Sequence, residues 1–264
     1  MNTTMPEDLP LAPPPRRALL REGRAITDFL ALAPRLLRSP PRTAKPQRIV
    51  VLPGFGADDR STWPLRRILD RAGHTTETWG LGRNLAGLNI RHRYEDVSGP
   101  WQLQPPPARY SGEASVPILC DRMVGQIRQR FAADDPPVVL IGWSLGGVVA
   151  REVARELPRQ IAQVITLGTP VQGGPKYTAA ASVFRKRGMD LDWIERGIEL
   201  RAATPIEVPI TSVVSRSDAI VAAGAAMDRS SPRVRHVLVD APHLSLCWRP
   251  EVWRIVLDAL EQGR

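Results

Sequence analysis

The sequence predicts an α/β fold: a mostly parallel central sheet with helices on both faces, a small helical cap and an N-terminal helical arm. Three observations lead there. From Arg48 onward, apolar runs of strand length alternate with longer stretches of helical pattern. The runs at 49–52 and 138–141 are apolar throughout instead of alternating, as suits strands covered on both faces. The chain has 264 residues, 43% of them hydrophobic, which is enough for one sizeable core.

The elements follow in order. Residues 1–15 are proline-rich and acidic and read as a flexible leader. Arg16 to Arg38 is predicted helical: Leu19, Leu20, Ile26, Phe29, Leu30, Ala33, Leu36 and Leu37 recur at helical spacing, with Leu32 off the stripe. Pro34 interrupts the stretch, and Ser39, Pro40 and Pro41 end it. Residues 1–47 are thus a leader and basic arm, and 48–264 the main domain. Ile49–Leu52 is the first strand. A helix over 62–72 has Ser61 or Thr62 to cap it and Pro64 in its first turn. Residues 75–79 form a strand. Residues 81–110 are irregular, and 91–115 read as an insertion. Then come a helix over 116–131, a strand over 138–141, a helix over 145–157 and a strand over 161–167. A broken helical excursion over 172–203 has the place of a cap. Strands over 210–214 and 234–239 and a closing helix over 248–260 complete the domain.

Composition removes several classes of function. No apolar run approaches the length of a membrane span. No secretory signal pattern is visible at the start. Cys120 and Cys247 are the only cysteines, too few for a disulfide scaffold or a four-cysteine zinc site, and a cytoplasmic setting is the simplest expectation. Net charge is +9, and residues 1–48 hold nine basic against four acidic residues. With no nucleic-acid motif present, that excess leaves two readings of residues 16–38: an arm packed on the domain, or a helix lying on a membrane surface.

The chemistry is carried by Gly142-Trp143-Ser144-Leu145-Gly146 between an apolar strand and an apolar helix. A serine at such a turn is pushed out of the sheet by strained backbone, and the helix behind it favours developing negative charge. A nucleophilic serine needs a base and an orienting acid. Of His74, His92, His236 and His243, only His243 follows the last strand and so falls at the carboxyl edge of a parallel sheet, with Ser144. Asp218 follows the strand over 210–214 and is the matching acid. Backbone N–H groups of Leu145 and of Phe55, in Pro53-Gly54-Phe55-Gly56-Ala57, are the expected oxyanion donors.

With Val51-Leu-Pro-Gly-Phe55, Leu167-Gly-Thr-Pro170, Ser217-Asp-Ala-Ile-Val221 and Pro242-His243, these motifs resemble the α/β-hydrolase superfamily, most closely its bacterial lipase and esterase branches, over residues 48–262. Trp79-Gly-Leu-Gly-Arg-Asn84 also looks like a stretch found in bacterial members. The resemblance implies hydrolysis of an ester or thioester through an acyl-enzyme on Ser144, His243 and Asp218, with no cofactor or metal. It implies a small acyl ester or lipid as substrate. Trp143, Tyr177, Phe184 and Trp193 are candidates to line an acyl pocket, or else cap core. Two alternatives stay open at this level: an acyltransferase using the same triad, and a catalytically idle α/β-hydrolase-fold binding protein.

Overall fold

The computed structural model describes residues 9–37 and 40–263. Six strands form one parallel sheet in the order β2-β1-β3-β4-β5-β6. They are β1 (Arg48–Leu52), β2 (Thr75–Thr78), β3 (Val138–Trp143), β4 (Ile161–Leu167), β5 (Ile210–Ser215) and β6 (Val234–Val239). Register runs Ile49 to Val139, Val139 to Gln163, Val164 to Ile210 and Ser212 to His236.

The period-two alternation of strand side chains divides the core into two layers. Ile49 and Val51 of β1 face one side, with α3 (Trp63–Arg71) and α8 (Pro250–Gln262) packed over them. Val50 and Leu52 face the other, under α4 (Ser115–Arg130) and α5 (Leu145–Glu156). Each such aliphatic side chain taken fully from water contributes about 1.5–3 kcal/mol. β3, at the centre, is buried at every residue. The strand order places β3 and the turn after it in the middle of the carboxyl edge, with β5 and β6 on the same edge beyond β4.

The cap region is a short turn of 3-10 helix at Gly174–Tyr177 followed by α6 (Ala181–Lys186) and α7 (Leu191–Ala202). The Asp190 carboxylate caps α7, accepting from the amides of Asp192 and Trp193. The 91–115 stretch holds two single 3-10 turns, Tyr94–Asp96 and Gly99–Trp101. Val97, Trp101 and Ala114 of this stretch share one buried cluster with Trp193 of α7.

The arm departs from the expected pattern. It is a 3-10 helix over Arg16–Gly23, then α1 (Arg24–Leu30) and α2 (Leu32–Leu37). Arg38 and Ser39, where the expected end falls, lie outside the described residues, as do residues 1–8 of the leader. The face turned to the domain carries Ala18, Glu22, Ala25, Asp28, Leu32 and Leu36. Most of the expected apolar stripe points outward: Leu20 is 84% exposed, Leu37 79%, Leu30 72% and Ile26 66%. Leu32, off that stripe, is buried. The reason is chemical. Asp28 is paired to Arg35 at 3.2 Å and to Arg249 at 3.5 Å, and Glu22 bonds backbone amides of the domain. These partnered carboxylates fix the inward face, and helical geometry then sends the leucines out. Phe29 meets Trp248 edge-on at 5.7 Å.

Among the described residues no helix is long and apolar enough to cross a membrane, and no group of His, Cys, Asp or Glu side chains is placed to hold a metal ion. Cys120 and Cys247 are free and buried, and burial pushes both thiols well above their ordinary range.

Candidate active site

β3 ends at Trp143 and α5 begins at Leu145, which leaves one residue to reverse the chain. That residue is Ser144, at φ 53° and ψ −124°. Only Ala86 joins it as a non-glycine with positive φ among the described residues. Such backbone costs on the order of 1–3 kcal/mol and persists only where its surroundings impose it. They do so here. A Cβ at Gly142 would run into the Gly147 backbone, and one at Gly146 into the Leu52 carbonyl. The Ser144 amide donates to Leu167 O at 2.8 Å, tying the turn to β4.

Asp218 and His243 lie on the loops after β5 and β6. His243 Nδ1 and Asp218 Oδ2 are 2.6 Å apart, both side chains almost wholly buried. The other oxygen, Asp218 Oδ1, accepts from the amides of Ile220 at 2.8 Å and Val221 at 2.7 Å. With Asp218 as acceptor, Nδ1 carries the proton and Nε2 keeps its lone pair. The two loops are joined at their roots, where Ser215 Oγ donates to Ala241 O and accepts from Ala241 N. Trp143 Nε1 donates to His243 O at 3.1 Å, a bond from the serine's neighbour to the histidine's own backbone. Gly168, at φ +56°, lets the chain pass beside the pair: a Cβ there would sit 3.0 Å from Asp218 Oδ2 and 3.1 Å from His243 Nδ1.

Ser144 and His243 open onto one cavity of about 270 Å³ with a largely apolar wall. Phe55 and Leu145, the expected oxyanion donors, are in that wall. A Cβ at Gly54 would stand 3.1 Å from the Ser144 Cβ, so the 53–57 loop backbone lies against the serine. In that loop the amides of Gly56 and Ala57 are used, by Asn84 O and Gly54 O, and the described loop bonds leave that of Phe55 uncommitted.

Of the four candidate pocket aromatics, Trp143, Phe184 and Trp193 line the cavity. Tyr177 does not. Its hydroxyl donates to Glu195 Oε1 at 2.6 Å, and it packs against the buried cluster that holds Val214, Val221 and Ala222. The 91–115 stretch belongs to the site: Trp101, Leu103 and Glu113 are part of the lining. Buried Glu113 accepts from Ser111 N at 2.7 Å and from Asp190 N at 3.0 Å, and Trp193 Nε1 donates to Pro105 O at 3.0 Å. The insertion and the cap are therefore cross-bonded into one roof.

The other histidines fall elsewhere. His74 precedes β2 at the amino edge, and burial lowers its pKa. His92 bonds Ile90 O and Tyr110 within the insertion. His236, in β6, accepts from Asp228 N at 3.0 Å, and burial lowers its pKa as well.

Sequence reading assigned no role to the Trp79–Asn84 stretch. In the structure Asn84 is fully buried, its Nδ2 donating to Pro53 O at 2.8 Å, while its backbone bonds Gly56 N and Ala57 O. It braces the loop that faces the serine. The stretch is recognisable by resemblance, but nothing in its residues announces that Asn84 turns inward to brace a loop 31 residues earlier in the chain.

A Thioesterase domain model matches residues 105–192, from the insertion through the serine turn to the start of α7. No protein of curated function matches by sequence. Solved structures do match in shape. One, of the metagenome-derived lipolytic enzymes LipS and LipT, is 13% identical with a TM-score of 0.55, covering 83% of this chain and 94% of its own. The carboxylesterase CesB (YbfK) from Bacillus subtilis is 14% identical with a TM-score of 0.53, covering 94% and 99%. An alpha/beta superfamily hydrolase from Oenococcus oeni PSU-1 is 14% identical with a TM-score of 0.53, covering 83% and 94%.

Proposed function

The chain has the α/β-hydrolase fold, and on that premise we propose that it is a serine hydrolase cleaving carboxylic esters or thioesters of an apolar acyl group. One observation carries this reading: a serine on strained backbone and a buried His–Asp pair open onto the same apolar cavity. Ser144 Oγ attacks the acyl carbon as its proton passes to His243 Nε2, and the carbonyl electrons move onto oxygen. The Phe55 and Leu145 N–H groups hold that oxyanion, each donor worth about 10²–10³ in turnover. The C–O or C–S bond then breaks, and the leaving group takes the proton from Nε2. Water repeats the sequence, releasing the acid and restoring Ser144 Oγ–H. Asp218 holds the imidazole in the tautomer that both halves need. No step in this scheme calls on a cofactor. The Thioesterase match favours the thioester as acyl donor.

Labelling with a fluorophosphonate, read by peptide mass, tests the proposal. Ser144 should be the modified residue, and His243→Ala should abolish the modification. Folded protein that stays unlabelled, with and without detergent, would refute it.

The arm supports a second part of the reading, contact with an anionic lipid surface. Its outer face pairs exposed Leu20, Ile26, Phe29, Leu30 and Leu37 with exposed Arg16, Arg17, Arg21 and Arg24. Phe55 and Leu244, both exposed, line the nearby cavity, so docking there would turn the mouth towards lipid. Leu20→Glu with Leu30→Glu is expected to cut pelleting on anionic vesicles at least tenfold without lowering the melting temperature. Equal pelleting of parent and variant would remove this part. The two free, buried cysteines favour a cytoplasmic setting.

A further inference from the structure

We propose that Glu22, on the N-terminal arm, is a positioning residue that sets His243 and Asp218 in register for catalysis. The inference rests on the proposed role of His243 as base.

Glu22 is buried, and its carboxylate is spent on the two loops that carry the pair. Oε1 accepts from Ala219 N and from His243 N, each at 3.0 Å. Oε2 accepts from Leu244 N at 3.0 Å. One donor adjoins Asp218, and another is the backbone of His243 itself. Ala219 is wholly buried and His243 2% exposed, so without Glu22 these amides would face the interior unpaired.

The three amides after Asp218 divide in a telling way. Those of Ile220 and Val221 turn back onto Asp218 Oδ1, and that of Ala219 turns out to Glu22. Ser215 joins the loops at their roots. Glu22 joins them at their tips. A carboxylate offers about four acceptor sites, and an ionised acceptor makes shorter, stronger bonds than a neutral one. No other residue type of this size would take three amides from two loops in this geometry. The strap is held in place by the Asp28 pair with Arg249 and by the contact of Phe29 with Trp248. A misplacement of the base by about 1 Å costs on the order of 10²-fold in rate.

The test uses the full chain with Glu22→Gln and Glu22→Ala, an ester substrate, and the far-downfield proton resonance of the His243 Nδ1–H···Asp218 bond. Glutamine keeps one acceptor oxygen and sets an NH₂ against an amide donor. Expected kcat losses are about tenfold for Glu22→Gln and about 100-fold for Glu22→Ala, with KM within twofold and the resonance broadened in the same order. Independently of any variant, the amides of Ala219, His243 and Leu244 should exchange slowly and together in the unaltered protein. The proposal is overturned if Glu22→Ala keeps kcat within twofold and the resonance unchanged. It is overturned equally if the kcat loss merely tracks the fraction unfolded and vanishes on cooling, or if the three amides exchange at the rate of open loops. An unaltered protein that hydrolyses no ester and leaves Ser144 unlabelled would sink the hydrolase reading instead, and the exchange data would still judge the strap.

Discussion

Ser144→Ala should leave the melting temperature of the protein within a few degrees and lower ester turnover at least about 10⁴-fold. The hydroxyl makes none of the bonds that hold the turn, which rests on the Ser144 amide and the flanking glycines. On the proposed mechanism the attacking hydroxyl, by contrast, has no substitute, because the other hydroxyls of the wall, Ser115 and Thr178, are bonded to Gly112 O and Pro175 O. His243→Ala should cost nearly as much, and the double variant no more than either alone, because the groups act as a unit. Asp218→Asn should cost somewhat less. It removes the charge beside Nδ1 and presents an NH₂ where the imidazole needs an acceptor. His74→Ala, at the other edge of the sheet, should match the parent. Turnover in Ser144→Ala within tenfold of the parent would remove the serine from the mechanism.

Asp228→Ala is expected to destabilise the fold by about 3–5 kcal/mol, the cost of breaking a buried ion pair from one side. Asp228 is paired with Arg151, and their side chains are 0% and 5% exposed. Burial opposes ionisation of Asp228, yet Arg151 and the bonds from Ser230 and Ser231 hold its carboxyl well below the ordinary range. Without it, the Arg151 guanidinium on α5 is stranded in the interior. At roughly 2–4 °C per kcal/mol for a domain of this size, the melting temperature should fall on the order of 10 °C. Replacing both partners with apolar residues should restore much of the loss. A single-variant loss under 1 kcal/mol would show that water reaches the pair. Because α5 begins at the serine turn, the variant should also lose turnover near its melting point earlier than it loses fluorescence of the folded state.

The sheet was legible because its central strands β1 and β3 are short, almost wholly apolar runs, and hydrophobic pattern marks where such runs begin and end. The six strands match expectation to within two residues. The serine turn was legible from glycine spacing. His243 and Asp218 were singled out from their places after the last two strands, and the structure sets them 2.6 Å apart. The inward face of the arm was not legible, because it is chosen by contacts over 190 residues away in sequence. Glu22 meets the 219 and 243–244 amides, and Asp28 meets Arg249. Periodicity sees the leucine stripe and has no access to those partners. Tyr177 is claimed by a contact that side-chain type alone does not announce: Glu195, 18 residues on, takes its hydroxyl. The insertion carries no periodic signal at all, and its place in the cavity wall follows from Trp101 and Leu103 packing under α7.

The cross-bonded roof has a consequence for protein engineering. Glu113 holds the amide of Asp190, and Pro105 accepts from the Trp193 indole, so two chain segments separated by α4, β3, α5 and β4 make one ceiling. Transplanting residues 172–203 alone into another scaffold would carry over half a chamber, with Trp193 missing its acceptor and Asp190 its anchor. The shape of the cavity is therefore a two-part trait: a chimera inherits it only when both segments travel together.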